Sequence, residues 1–275
     1  MLMSVTPKIE AFALSDPGAK RSHNEDSVAT DTRIGLAVVA DGMGGYKGGE
    51  VASALAVNTI MSELENALAR WHEEQDDNAE FSPESLAVRE VLDLSNKIIY
   101  NAAQSQPQYG GMGTTVVLAL FYDNRMTIAH VGDSRLYRLR NDKLELVTED
   151  HTLLRELIAR GFYSEEEARG SQNKNLVTRA LGIEPTVEID IQEDVALEGD
   201  VYLLCSDGLN DMVEDRDIYL TLKQYSDNLD KAVAELVQLA KNNGGKDNVS
   251  VVLARPTRVP STPKNWAEKV VDWFF

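Results

Sequence analysis

The sequence predicts an α+β domain, on three observations. Four apolar runs rich in β-branched residues follow one another at 114–122, 125–131, 134–139 and 144–147. The gaps between them, Asp123-Asn124, Gly132-Asp133 and Asn141-Asp142, suit hairpins and are too short for parallel crossovers, so the runs predict an antiparallel meander. Helical patterns precede them, and a hydrophobic share of 43% over 275 residues supplies one large core without staples.

Taken in order, residues 9–15 and 34–40 are short apolar runs that predict strands. Residues 50–71 predict a helix whose apolar face carries Ala54, Val57, Met61, Leu64, Leu68 and Trp71 at steps of three and four. The acidic, turn-rich stretch from Glu73 to Glu80 reads as a solvated loop. Ser82-Pro83 opens a second helix, with Ser as N-cap and Pro at the first helical position, and Val88, Leu92, Ile99 and Ala102 on its buried side. Beyond the meander, 151–160 predicts a short helix ended by Gly161. Residues 187–191, 201–205 and 249–254 predict strands, and 229–241 an amphipathic helix stopped at Gly244-Gly245. The composition then shifts, which sets the expected domain at 1–255 and a tail at 256–275.

Lys and Arg total 27 against 45 acids, a formal net charge of −18. Such a surface repels nucleic-acid backbones and anionic lipid. A body this acidic that handles phosphate must gather positive charge locally, from a few basic side chains or from bound cations. The single cysteine, Cys205, excludes an internal disulfide framework and a thiolate-rich zinc site, and its apolar neighbours mark it as a core thiol. A cysteine-nucleophile phosphatase needs an Arg six positions later, where Asp211 stands. No signal-peptide pattern opens the chain and no apolar stretch approaches the ~20 residues of a bilayer span. The expected compartment is the cytoplasm.

Four blocks pair acids with glycines or sit at strand ends: Arg21-Ser22-His23-Asn24-Glu25-Asp26, Asp41-Gly42-Met43-Gly44-Gly45, Ser206-Asp207-Gly208 and Lys246-Asp247-Asn248. Asp41 and Asp207 each follow an apolar run directly, which fixes a carboxylate on rigid backbone. The glycines beside them let main-chain carbonyls and water approach a cation, and this oxygen-only donor set suits Mg²⁺ or Mn²⁺. Singly, an Asp-Gly after a strand is a turn and Arg21 a solvated side chain. The information lies in the ordered set.

With these blocks go Gly48-Gly49-Glu50, Gly113-Thr114-Thr115, Val131-Gly132-Asp133-Ser134-Arg135, Thr148-Glu149-Asp150-His151, Leu209 and Val249-Ser250. From Ile9 to Ala254 the sequence resembles the PPM, or type-2C, metal-dependent serine/threonine protein phosphatases in their bacterial form. The resemblance implies two packed antiparallel sheets with helices outside, an α-β-β-α sandwich. It implies Asp41 as a ligand bridging two cations, Asp26 and the Gly42 carbonyl serving one ion, Asp207 and Asp247 the other, and Asp133 a third, weaker one. Arg21 would clamp the phosphate of a phosphorylated protein, and a water activated between the two metals would hydrolyse the phosphoserine or phosphothreonine ester, reversing a bacterial-type kinase. Glu25 falls where relatives differ and is given no role. Met43 stands where many eukaryotic relatives carry a proton-donating His, which leaves the donor open between a metal-bound water and His151.

Residues 161–173 match the family's flap, and Glu165, Glu166 and Glu167 there are expected to select substrates rather than perform chemistry. In the tail, Trp266, Val270, Trp273 and Phe274 share one helical face. That face either docks on the parent domain or recruits a partner; its small basic excess does not favour a membrane surface. Two other functional classes fit the same fold, a catalytically silent signalling scaffold and a hydrolase of small phosphate metabolites. Retention of Asp41, Asp207 and Asp247 argues against the first, and the substrate decides the second.

Overall fold

The computed structural model describes residues 8–45, 47–73, 80–163 and 176–257. In chain order these form β1 (Ile9–Asp16), β2 (Asp26–Asp31), β3 (Leu36–Met43), α1 (Gly48–Glu73), α2 (Pro83–Ser105), β4 (Gly113–Thr114), β5 (Val116–Tyr122), β6 (Arg125–Val131), β7 (Arg135–Arg140), β8 (Lys143–Leu146) and α3 (Leu153–Ala159). There follow β9 (Asp190–Val195), β10 (Val201–Cys205), α4 (Asp207–Asn210), α5 (Asp215–Gln224), α6 (Leu229–Asn242) and β11 (Val249–Pro256). One sheet runs β1-β11-β10-β7-β8 and the other β2-β3-β5-β6-β9, all pairs antiparallel, with β4 added beside β3.

Strand alternation explains why two sheets and two helical layers close on one another. On β3, Ala37 and Val39 enter the core between the sheets with Val117, Ile128, Leu204 and Val252. Leu36, Val38 and Ala40 face the other way, into a second core with α1 and α2. Leu203, Cys205, Val251 and Leu253 likewise turn outward, against α5 and α6. Strands covered on both faces read as unbroken apolar runs, and this made β3, β5, β10 and β11 visible in the sequence. The result is the expected α-β-β-α sandwich.

The expected meander is instead two hairpins in different sheets. β5–β6 turns at Asp123 and β7–β8 at Asn141-Asp142, where positive φ angles build a tight reversal. The gap at Gly132-Asp133 does not reverse the chain but carries it from one sheet to the other. Gly132 has φ +104°, and a Cβ there would lie 2.6 Å from the Thr115 side chain, so a larger residue does not fit the crossing.

The buried stripe of α1 also differs from the expected face. It follows Ala52, Ala56, Ile60, Leu64 and Ala67, with the expected Val57 also buried, while Met61 is exposed and Ala54, Leu68 and Trp71 are only partly covered. Small residues dominate because the helix lies close on its sheet, a preference that apolar size alone does not signal. β2, α4 and α5 carry too many polar residues to read as elements, and β9 begins three residues later than expected. No helix among the described residues is long and apolar enough to cross a membrane. Glu165, Glu166 and Glu167 of the flap, and the tail from residue 258, lie outside the described residues.

Candidate active site

One end of the sandwich gathers the acids. Asp26 starts β2, Asp41 lies near the end of β3, Asp133 sits in the crossing after β6, Asp207 opens α4 after β10, and Asp247 precedes β11. Arg21, Glu25, Asp41, Gly42, Met43, Thr115, Asp133, Asp207, Asp247 and Asn248 line a common cleft of about 320 Å³. Asp133 and Asp207 also form one wall of an adjoining cleft of about 440 Å³, bounded by Arg135, Asp150, Arg155 and Asp211. The structure thus brings together Arg21, Asp41, Gly42, Asp133, Asp207 and Asp247, with Asp26 opposite Asp41 on the neighbouring strand.

Backbone hydrogen bonds fix Asp41. Its carbonyl accepts from the Thr115 N–H and the Thr114 hydroxyl, both at 2.8 Å, and its own N–H donates to the Thr115 hydroxyl at 3.2 Å. Gly42 lies against Gly49 at the start of α1, so close that a Cβ on Gly42 would come within 2.1 Å of the Gly49 carbonyl oxygen. This contact explains the paired glycine motifs: they let α1 approach the strand that carries Asp41.

Asp26 is buried and is the register partner of Asp41. Its Oδ2 accepts from the Ser206 hydroxyl at 2.8 Å, while Oδ1 has no hydrogen-bond partner among the described residues. A buried carboxylate oxygen without a donor costs free energy unless a cation meets it. Burial, followed by repulsion from Asp26, Asp207, Asp133 and Asp247, pushes the Asp41 carboxyl well above the usual range. Burial raises Asp26 and Asp133 to about 6 and Asp207 to about 7, with neighbouring acids adding to each. These donors are all oxygen, and the acids outnumber the one Arg that lines the cleft: the residues fit hard divalent cations.

The Arg21 guanidinium, half exposed, donates to Asp247 Oδ2 at 2.7 Å. Asn248 organises this corner. Its Oδ1 accepts from the Glu25 N–H at 2.8 Å, and its amide donates to the carbonyls of His23 at 2.8 Å and Pro17 at 3.1 Å, tying the 17–25 loop to β11. Sequence reading quoted Asn248 within a motif but gave it no role. Thr115, Ser206 and Ser250 were missed as supports because lone hydroxyls carry no spacing signal.

His151 is buried outside this cleft and its Nδ1 accepts from the Gly132 N–H, so it is not placed as an acid for a leaving group. Cys205 is fully buried, with its thiol pushed up to about 12 by burial, which makes it inert.

A profile of the protein phosphatase 2C family matches residues 19–253. The serine/threonine phosphatase stp of Listeria innocua is 36% identical over 242 residues, covering 87% of this chain and 92% of that protein. The serine/threonine phosphatase PstP/Ppp of Mycobacterium tuberculosis has a crystal structure that superposes with TM-score 0.79 at 35% identity, covering 91% of this chain and 99% of that one. A catalytic domain of PstP solved with two manganese ions superposes with TM-score 0.75 at 36% identity, over 92% of this chain and 100% of that one. The chain belongs to the protein phosphatase 2C family, the metal-dependent serine/threonine protein phosphatases, in its bacterial form.

Proposed function

We propose that this phosphatase hydrolyses phosphoserine and phosphothreonine esters in proteins with two divalent cations, Mn²⁺ or Mg²⁺, held in the acidic cleft. The observation that carries the reading is the convergence of Asp26, Asp41, Asp207 and Asp247, brought together from distant parts of the chain. Asp41 would bridge the two ions, Asp26 and the Gly42 carbonyl would serve one, and Asp207 and Asp247 the other, with Asp133 holding a third more weakly. When bound, the ions would supply an activated water and neutralise phosphate charge.

The chain's own groups do the rest. Arg21 leaves Asp247 to donate hydrogen bonds to the phosphate oxygens and stabilise charge as it develops there. Thr114 and Thr115 keep Asp41 from yielding to repulsion by its neighbours. Met43 lines the cleft and has no proton to give, so the leaving alkoxide takes its proton from water. The substrate would come from a serine/threonine kinase of the same cytoplasm; the flap acids Glu165, Glu166 and Glu167 would select among such substrates.

Hydrolysis of a phosphothreonine peptide with Mn²⁺, with EDTA and with the Asp207→Asn variant tests this reading. Activity is expected only in the wild type with metal. Turnover that survives EDTA contradicts it, and a preference for sugar phosphates over phosphopeptides redirects it to small metabolites.

A further inference from the structure

Outside the cleft, His130, His151 and Asp190 bring ligand atoms within 4.8 Å of one another, and the two rings stack at 4.6 Å between centroids. The trio suggests a metal site, yet its hydrogen bonds oppose one. His130 Nε2 lies 2.9 Å from the Glu149 carbonyl, which only accepts, so that nitrogen carries its proton. His151 Nδ1 accepts the Gly132 N–H at 3.1 Å and therefore has none. The hydrogen of the neutral His151 ring is then on Nε2, which lies 3.3 Å from Asp190 Oδ2 without a well-aligned bond. Arg179 already occupies Asp190 Oδ1 at 2.7 Å. No imidazole lone pair remains for a metal except His130 Nδ1.

The arrangement instead grips backbone. Gly132 is held on both sides by His151: its N–H donates to Nδ1, and its carbonyl accepts the His151 N–H at 2.9 Å. The next residue is Asp133. The His151 carbonyl in turn accepts the Thr178 N–H at 2.9 Å, and Val177 beside it lines the acidic cleft. Burial, then the neighbouring His130 and Arg179, lowers His151 to about 4, so the ring stays neutral and Nδ1 stays an acceptor at working pH.

We propose that His151 is a positioning residue: its imidazole, kept as the Nε2–H tautomer beside Asp190, fixes Gly132 and so aims the Asp133 carboxylate at the weakest cation site. The inference rests on the cation assignment for Asp133 proposed above. It differs from a plain packing role in requiring an acceptor at one ring position only.

Calorimetric titration with Mn²⁺ alone separates the cases, using His151→Asn, His151→Gln, His151→Leu and Asp190→Ala. The Asn amide oxygen reaches the Nδ1 position, whereas the longer Gln reaches that of Nε2. His151→Asn is expected to bind every Mn²⁺ within about threefold of wild type. His151→Gln and His151→Leu should keep the two tight ions and lose about tenfold or more on the weakest, the range expected for residues that orient ligands; Asp190→Ala should lose less. If His151→Leu does not fold, the Asn and Gln pair decides. A weakest ion untouched in His151→Gln, equal damage in His151→Asn, or a wild type that binds only two ions overturns the inference. A wild type that binds no Mn²⁺ overturns the proposed metal centre itself.

Discussion

Asp26 and Asp41 are register partners across β2 and β3, so two carboxylates face each other from adjacent strands at the end of the sandwich. Like charges directly opposite destabilise a strand pair, and partial burial of this one sharpens the effect. The chain nonetheless commits Ser206 to Asp26 and Thr114 and Thr115 to Asp41 to hold both in place. The proposed cations would relieve this repulsion, and the hydrogen bonds to the Asp26 carboxylate and the Asp41 backbone hold the pair in place for them.

The metal-free protein should therefore become more stable on mild acidification. Folding raises Asp26 and Asp133 to about 6 and Asp207 to about 7, above the ~3.9 of an unfolded Asp. The unfolded chain gives up these protons first, so stability falls as pH rises from about 4 to about 7 and returns as pH is lowered. Melting in EDTA is expected to occur several degrees higher at pH 5.5 than at pH 7.5. Saturating Mn²⁺ should remove or reverse that order; an EDTA sample that melts higher at pH 7.5 contradicts the account.

Asp207→Asn should separate stability from function. It removes one of the clustered charges without changing side-chain shape, and should stabilise the EDTA-treated protein by about 1–3 kcal/mol at pH 7.5. Activity should be lost. A variant that melts lower than wild type in EDTA shows that Asp207 serves the apo fold instead.

Ser206→Ala tests the support beneath Asp26. The Ser206 hydroxyl donates to Asp26 Oδ2 at 2.8 Å and accepts the Ser250 N–H at 3.0 Å. Its removal leaves two buried groups unpaired and should lower stability by about 1–3 kcal/mol in chemical denaturation, with Mn²⁺ affinity reduced alongside. Unchanged values on both counts contradict this role.

Arg21→Ala should lower kcat/KM on a phosphopeptide by about 10²-fold, and Arg21→Lys should recover only part, because a point charge cannot span two phosphate oxygens. Mn²⁺ binding should hold or tighten, since the guanidinium no longer occupies Asp247. Weaker metal binding in Arg21→Ala would mean that Arg21 orders the ligands rather than the substrate.

Legibility in the sequence followed burial. β3, β5, β10 and β11 were visible because both faces are covered, and the acids at their ends inherited that clarity. β2, with sequence DSVATD and only Asp26 buried, offered no such pattern, although it carries one of the expected ligands. The Gly132-Asp133 gap has the length of a hairpin loop, and only tertiary packing against Thr115 turns it into a crossing between sheets. Asn248 and the supporting hydroxyls act through partners more than 100 residues away in several cases, and no local spacing reports such contacts.

The most direct test is anomalous diffraction at the manganese edge from crystals grown with Mn²⁺. The account predicts two strong peaks between the carboxylates of Asp26, Asp41, Asp207 and Asp247, with Asp41 touching both and Arg21 released from Asp247. Strong peaks away from these carboxylates and from Asp133, or a single ion that leaves Asp41 paired with Asp26 alone, would contradict it.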